Sequence, residues 1–162
     1  MTKLNSRWQR LLQSVGVALL IMTLVSCDGE EPDKGPAIAS ISGYNHNEDY
    51  IHRFFINETW GGNVFAYSGG GKFVCCINYP REWRRDLNAT VRWSTSASKP
   101  NPYTGTTWHE QVVPIERYDQ LGDLNVHFLP GNKVRLIISQ GSPGFPGYLG
   151  PAAPVKPADW PY

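Results

Sequence analysis

Leu24-Val25-Ser26-Cys27 is the stretch of this chain with the most definite chemistry. A cysteine after an apolar pair and a small residue, at the end of a short hydrophobic run, presents a thiol for diacylglycerol attachment and a cleavage point just before it. The run from Val15 to Val25 is too short for a mature transmembrane helix, which needs about 20 apolar residues, and Lys3, Arg7 and Arg10 stand ahead of it without an acidic residue. Residues 1–26 therefore read as a lipoprotein signal peptide and Cys27 as the lipidated residue. Asp28 directly behind it matches the signal that retains lipoproteins of enteric bacteria in the inner membrane. The expected location is the periplasmic face of a bacterial cell membrane, with the inner membrane favoured and the outer membrane as the alternative.

The other reactive side chains are arranged less productively. Cys75 and Cys76 are adjacent, and in an extended strand their side chains point to opposite faces with α-carbons about 3.8 Å apart, so two buried thiols are expected. His46 and His52 flank Glu48 and Asp49, but without the spacing of a zinc site; a polar turn between two strands is expected, and no metal. His109 and Glu110 are neighbours in a strand-like run and would face opposite ways, which is poor geometry for an acid–base pair. No serine sits in a G-x-S-x-G elbow, and Ser68-Gly69-Gly70-Gly71-Lys72 lacks the first glycine and the final hydroxyl of a phosphate loop. No catalytic residue and no cofactor are assigned, and a protein that is not an enzyme is expected.

Contact chemistry is better represented. Trp60-Gly61-Gly62-Asn63 sets a large aromatic beside two glycines, and Arg81 to Asp86 places Trp83 among mixed charges. Tryptophan and arginine are the side chains that most often anchor protein interfaces, so Trp60, Arg81, Trp83 and Arg84 are the candidate partner-binding residues. Charge excludes one class of partner. The chain has 15 Lys and Arg against 14 Asp and Glu; without residues 1–26, and with them Lys3, Arg7 and Arg10, the cations fall to 12 and the net charge becomes −2. No polybasic surface for nucleic acid is implied.

These residues need a scaffold, and the pattern behind Cys27 supplies one. Residues 27–36 hold the acylated cysteine and the flexible tether DGEEPDKGP, which has nothing apolar to bury. From 37 to 139 the chain is a series of short runs rich in β-branched and aromatic residues. Asn88 to Ser94 alternates, with Ala89, Val91 and Trp93 inward; Asp123 to Phe128 does the same with Leu124, Val126 and Phe128 inward and His127 outward. Leu129-Pro130-Gly131-Asn132 reads as a type II turn into a returning strand, Lys133 to Ser139. Further strands are expected at Ala37 to Tyr44, Ile51 to Asn57, Thr107 to Pro114 and, more weakly patterned, Asn63 to Tyr67. Lys72 to Tyr79 is apolar on both faces and reads as a central strand. A helical turn is expected near Ile115 to Leu121. About seven or eight short strands imply an antiparallel β-sandwich, with a small β-barrel as the alternative. Residues 140–162 form a Gly/Pro-rich extended tail, mobile unless Phe145, Tyr148, Trp160 or Tyr162 lays it back onto the domain.

Gly43-Tyr44-Asn45-His46, the NETWGGN run of Asn57 to Asn63, Phe73-Val74-Cys75-Cys76 and the GDLNVHFLP run of Gly122 to Pro130 together resemble a family of small bacterial lipoproteins of unassigned domain function. The resemblance covers most of residues 38–139 and leaves the tail unmatched. Members of that family look like immunity proteins that accompany phospholipase effectors of type VI secretion. The resemblance thus implies a cognate toxin, a phospholipase, as partner, and blockade as mechanism. The alternative is an envelope-binding module that recognises glycan or another envelope component through an aromatic surface. If Cys27 is the anchor, the wild-type protein should fractionate with membranes and the Cys27→Ser protein should appear in the soluble periplasmic fraction. Equal partition of the two forms would remove Cys27 from this role.

Overall fold

The computed structural model describes residues 35–96 and 106–160. The expected signal peptide, with Cys27, Asp28 and most of the expected tether, lies outside the described residues. Nine strands are found among those described: β1 (Ala37–Asn45), β2 (Tyr50–Ile56), β3 (Thr59–Val64), β4 (Ser68–Gly69), β5 (Val74–Tyr79), β6 (Asn88–Ser96), β7 (Thr107–Pro114), β8 (Asp123–Leu129) and β9 (Lys133–Ser139). One sheet runs β4-β1-β8-β9 with β5 also paired on β1, and the other runs β3-β2-β6-β7. The sheets pack face to face and neither closes, so the fold is a β-sandwich rather than a barrel.

The inward alternation read from the sequence fills the space between the sheets. Ala89, Val91 and Trp93 of β6 meet Leu124, Val126 and Phe128 of β8 and Leu136 and Ile138 of β9 in one buried cluster. Its centre is aromatic: the Phe128 ring stands edge-on to Phe54 at 5.2 Å and 5.6 Å from Trp93. Gly61 is required by this packing, because a Cβ there would fall inside the Phe54 ring. The second glycine-flanked feature, the tryptophan at 60, is thereby turned away from the core and is 54% exposed.

Several expectations are corrected. β1 and β8 pair in parallel, Ile41 opposite Leu124 through Asn45 opposite Phe128, so the first sheet is mixed. The weak strand at 63–67 is displaced to Thr59–Val64, since Asn57 and Glu58 form a two-residue turn with φ of 43° and 67°. That is the left-handed geometry of a tight hairpin, here made without the glycine that usually signals it. β5 is an edge strand bonded only to β1. Cys75 and Cys76 are not buried thiols but a vicinal disulfide, across a cis peptide that brings their α-carbons to 3.1 Å. Cys75 is exposed and Cys76 half-buried. Residues 116–122 are irregular, with a bend at 119–120, rather than helical: Ile115 bridges to Leu136, and the buried Tyr118 donates its hydroxyl to Pro80 O at 2.6 Å. The β8–β9 turn is as expected at Gly131, φ 75°, but Asn132 is left-handed too.

The tail takes the laid-back course that Tyr148 and Trp160 allow. Residues 141–160 lie back on the outer side of the first sheet. Gly141 O accepts from Asn125 Nδ2 at 3.4 Å, Gly150 packs against Ile137, and the Trp160 ring meets Tyr67 at 4.9 Å. Phe145 stays exposed and Tyr162 is outside the described residues. Asn125 and His127, which alternation turns away from the core, are buried beneath this strap, so β8 is covered on both faces.

Glu58 sits in a conformation that glycine adopts without cost, and its single ion pair, to Arg92 at 3.7 Å, is largely in solvent. Glu58→Gly is therefore expected to raise the unfolding free energy by roughly 1 kcal/mol, read as a higher urea midpoint. A lowered midpoint would mean that the Glu58 side chain contributes more than its backbone costs.

Candidate functional site

Two regions collect the side chains with chemical potential. The first is at one end of the sandwich, where β1 passes into the loop before β2. Asn45, fully buried, organises that loop: its Nδ2 donates to Asp49 O at 2.7 Å and Phe65 O at 3.3 Å, and its Oδ1 accepts from Asn47 N at 3.0 Å. His46 is held in place by its own N–H to Phe128 O at 2.9 Å. Its Nε2 lies 3.0 Å from Nδ1 of His127, whose Nε2 lies 2.6 Å from the Tyr148 hydroxyl in the strap. The Tyr44 ring stacks on His127 at 4.7 Å.

Electrostatics fix the state of this chain of donors and acceptors. Burial, then the neighbouring His46, then Arg135 push the His127 pKa down to about 3, so the ring is neutral. Arg135 itself is held by a bidentate pair to Glu116, 2.6 and 2.8 Å, which raises its pKa. Burial pushes the phenols of Tyr44 and Tyr148 up and the His46 imidazole down. A neutral His127 has one N–H, so it either donates to Tyr148 and accepts from His46 or does the reverse. Both ring nitrogens are matched in either case, and the result is a lock between β1, β8 and the strap.

His46 also borders a cleft of about 600 Å³ between the β1–β2 loop, the start of β7 and the β8–β9 turn. Trp93, Phe128 and Ile51 form its apolar part, and Asp49, His109 and Lys133 contribute charge or polarity. Burial and the neighbouring Glu48 raise the Asp49 pKa, and His109 partly offsets this. His109 stacks on Trp93 at 5.0 Å and reaches Thr95 Oγ1 at 3.2 Å, whereas Glu110 is on the opposite face, as alternation requires. Glu48 lines the same cleft, whereas His52 meets Arg53 Nε at 3.4 Å and the Tyr50 ring. Among the described residues, no three His, Cys, Asp or Glu side chains are placed to share a metal ion.

The second region is the outer face of the β3-β2-β6-β7 sheet. Register sets Trp60, Phe55, Arg92 and Glu110 across one row of the four strands, and Arg53, Ser94 and Trp108 across the next. The Arg92 guanidinium carbon lies 5.1 Å from the Phe55 ring centroid and 5.4 Å from that of Trp108; Arg53 is 5.8 Å from Trp108. Trp60 is thus one member of a larger aromatic and cationic surface. Arg53, Phe55, Arg92 and Trp108 were not singled out by the sequence because only strand register brings them together. Arg92 alone carried a signal, as an outward position of an alternating strand.

The other candidates are held elsewhere, on the β5–β6 connection. Trp83 packs against the core and donates its indole N–H to Ile115 O at 2.9 Å. Arg81 and Arg84 are exposed, with Arg84 Nε 3.7 Å from Asp86. Trp83 is therefore a structural anchor for that loop, and the loop presents the arginines separately from Trp60.

His127 is protonated less readily in the folded chain than in the unfolded one. Its contribution to stability is thus complete above about pH 6.5 and is lost as pH falls from there toward 3, by up to roughly 1.4 kcal/mol per pH unit, with His46 acting in the same direction. Urea unfolding measured from pH 7.5 to 5 should show this slope, and His127→Gln should flatten it. Tyr148→Phe should cost about 1 kcal/mol at pH 7.5 by leaving a buried ring nitrogen unmatched.

The model for the family described as protein of unknown function, DUF3304, matches residues 44–136, more than half of the chain. The match begins at Tyr44 against the relay and ends within β9, so it spans His46, His127, the aromatic and cationic sheet face and the cleft, and stops before the strap. No curated protein and no solved structure matches the chain. The chain belongs to the DUF3304 family of proteins of unknown function.

Proposed function

We propose that this chain is a membrane-anchored periplasmic lipoprotein, not an enzyme, that protects its cell by binding and blocking a toxin, and that the toxin is a phospholipase effector of type VI secretion. The observation that carries the binding reading is an asymmetry. The strap covers the outer side of one sheet, while the outer face of the other keeps Trp60 (54%) and Trp108 (49%) exposed beside Arg53 and Arg92. Tryptophan and arginine gathered on one rigid sheet make a surface suited to a protein partner. The lipoprotein signal ending at Cys27 supports the anchoring, and the four motifs of the resemblance support the choice of partner. A lipid anchor concentrates the blocker where a phospholipase must land, which raises occupancy without new contacts.

The same rings would suit a glycan. Guanidiniums lie against Phe55 and Trp108, however, which makes the surface cationic as well as aromatic, and a protein partner fits that combination better.

A strain that lacks this gene should be killed by siblings carrying the phospholipase encoded beside it, and survival of the deletion strain in that competition would remove the immunity reading. In complementation, Trp60→Ala combined with Trp108→Ala should lose protection while keeping the wild-type unfolding transition. Trp83→Ala should instead lower stability by roughly 2 kcal/mol, because it removes part of the packed loop and a buried hydrogen bond.

A further inference from the structure

We propose that the outer face of the β3-β2-β6-β7 sheet receives a carboxylate-bearing segment of the partner protein, gripped by the guanidiniums of Arg92 and Arg53; this rests on the reading of that face as the partner-binding surface. The inference begins with hydrogen bonds that are not made. Among the described residues, the buried side-chain nitrogen and oxygen atoms without a partner are Arg92 Nε, Ser94 Oγ and Ser96 Oγ. All three belong to successive outward positions of β6, the same strand whose inward positions build the core. Ser94 is fully buried because Arg53 and Trp108, its register partners on either side, reach toward each other over it. A buried polar atom without a partner is costly, and these three lie beneath a layer of rings and guanidiniums whose outer side, where the Arg92 side chain is 40% exposed, lacks its complement.

The chemistry of that complement follows from the arginines. A guanidinium seated over an aromatic ring has its flat face occupied and its in-plane N–H donors directed to the side. Arginine only donates, so what is missing is an acceptor, and the acceptor that matches a fork of parallel N–H groups is a carboxylate. Among the described residues, no acid fills this place. Glu58 Oε2 stops 3.7 Å from Arg92 Nη2, beyond hydrogen-bond length, with its side chain 83% in solvent. Among the described residues, Arg53 has no ion pair; its polar contact is to His52 Nδ1 at 3.4 Å. An incoming carboxylate would displace Glu58 from Arg92 with little loss, and the neighbouring rings of Trp108, Phe55 and Trp60 would exclude water from the new pair.

The test uses the purified full-length chain and two short peptides, one alternating glutamate with threonine and one with glutamine in place of each glutamate, followed by NMR. The glutamate peptide should give saturable shifts of the Arg92 Nε–H and the Trp108 indole N–H, and the glutamine peptide should not. Arg92→Gln should weaken binding about tenfold or more, and Arg53→Gln should weaken it as well. Both arginines stand outside the core, and if Arg92→Gln alters the unfolding transition, Arg53→Gln decides. Equal response to the two peptides, unchanged binding by the arginine variants, or shifts of these signals by anionic phospholipid vesicles but not by the glutamate peptide would each overturn the proposal. The outcomes separate from those of the toxin-blocking reading. If a phospholipase toxin binds wild type and Arg92→Gln equally, the carboxylate site falls and blockade stands. If the glutamate peptide binds while deletion strains resist the toxin, blockade falls and the site stands.

Discussion

A histidine shut away from water must have both ring nitrogens matched, and at His127 that demand joins three distant pieces of chain. Nδ1 is met by His46 at the end of β1 and Nε2 by Tyr148 in the strap, while Tyr44 covers the ring. Were the strap absent, a neutral imidazole on the outer side of β8 would face solvent and the Asn125 amide would lose Gly141 O. The strap is thus not an accessory to the sandwich. It completes the first sheet in the way a third layer would, and β8 becomes an interior strand although it belongs to a two-layer fold.

That completion determines which surface is left for function. The first sheet has its inner face on the core and its outer face under the chain's own tail. The second sheet has an inner face of equal quality, with Val91, Trp93, Ile51 and Phe54 buried, yet its outer face ends in stacked guanidiniums and rings. Two sheets of similar construction therefore have different fates: one is satisfied within the chain and the other has donors to spare. The family match spans the unsatisfied face and stops before the strap, so that face and the cover are separable parts of the sequence.

Alternation made the sandwich legible, because period-2 burial is dictated by the pleat at each strand alone. It could not reveal the sites, which depend on register between strands far apart in sequence. Phe55, Arg92 and Trp108 become neighbours only when β2, β6 and β7 are aligned. The β2–β3 hairpin was missed because Asn57-Glu58 adopts positive φ without the expected glycine. The apolar run around Cys75 imitated a central strand although β5 is an edge, since hydrophobicity records burial and says nothing of hydrogen-bonding partners. The strap was hidden for a different reason: its Gly and Pro content signals an extended chain, and nothing in composition says what an extended chain lies against.

The parallel pairing of β1 with β8 bears on how the chain reaches this state. The contact from Ser40 N to Asp123 Oδ1 spans 83 residues; β1 pairs with β4 and β5 along one edge, but its other edge stays open until β8 has been delivered. The second sheet, by contrast, grows from the β2–β3 hairpin and the β6–β7 pair. Because closing a long loop is entropically slow, assembly should proceed from the β3-β2-β6-β7 sheet to the strapped one, with the β8 edge of β1 waiting open. The interval before β8 arrives, with that edge open, is when the chain is most exposed to chaperones, proteases and aggregation.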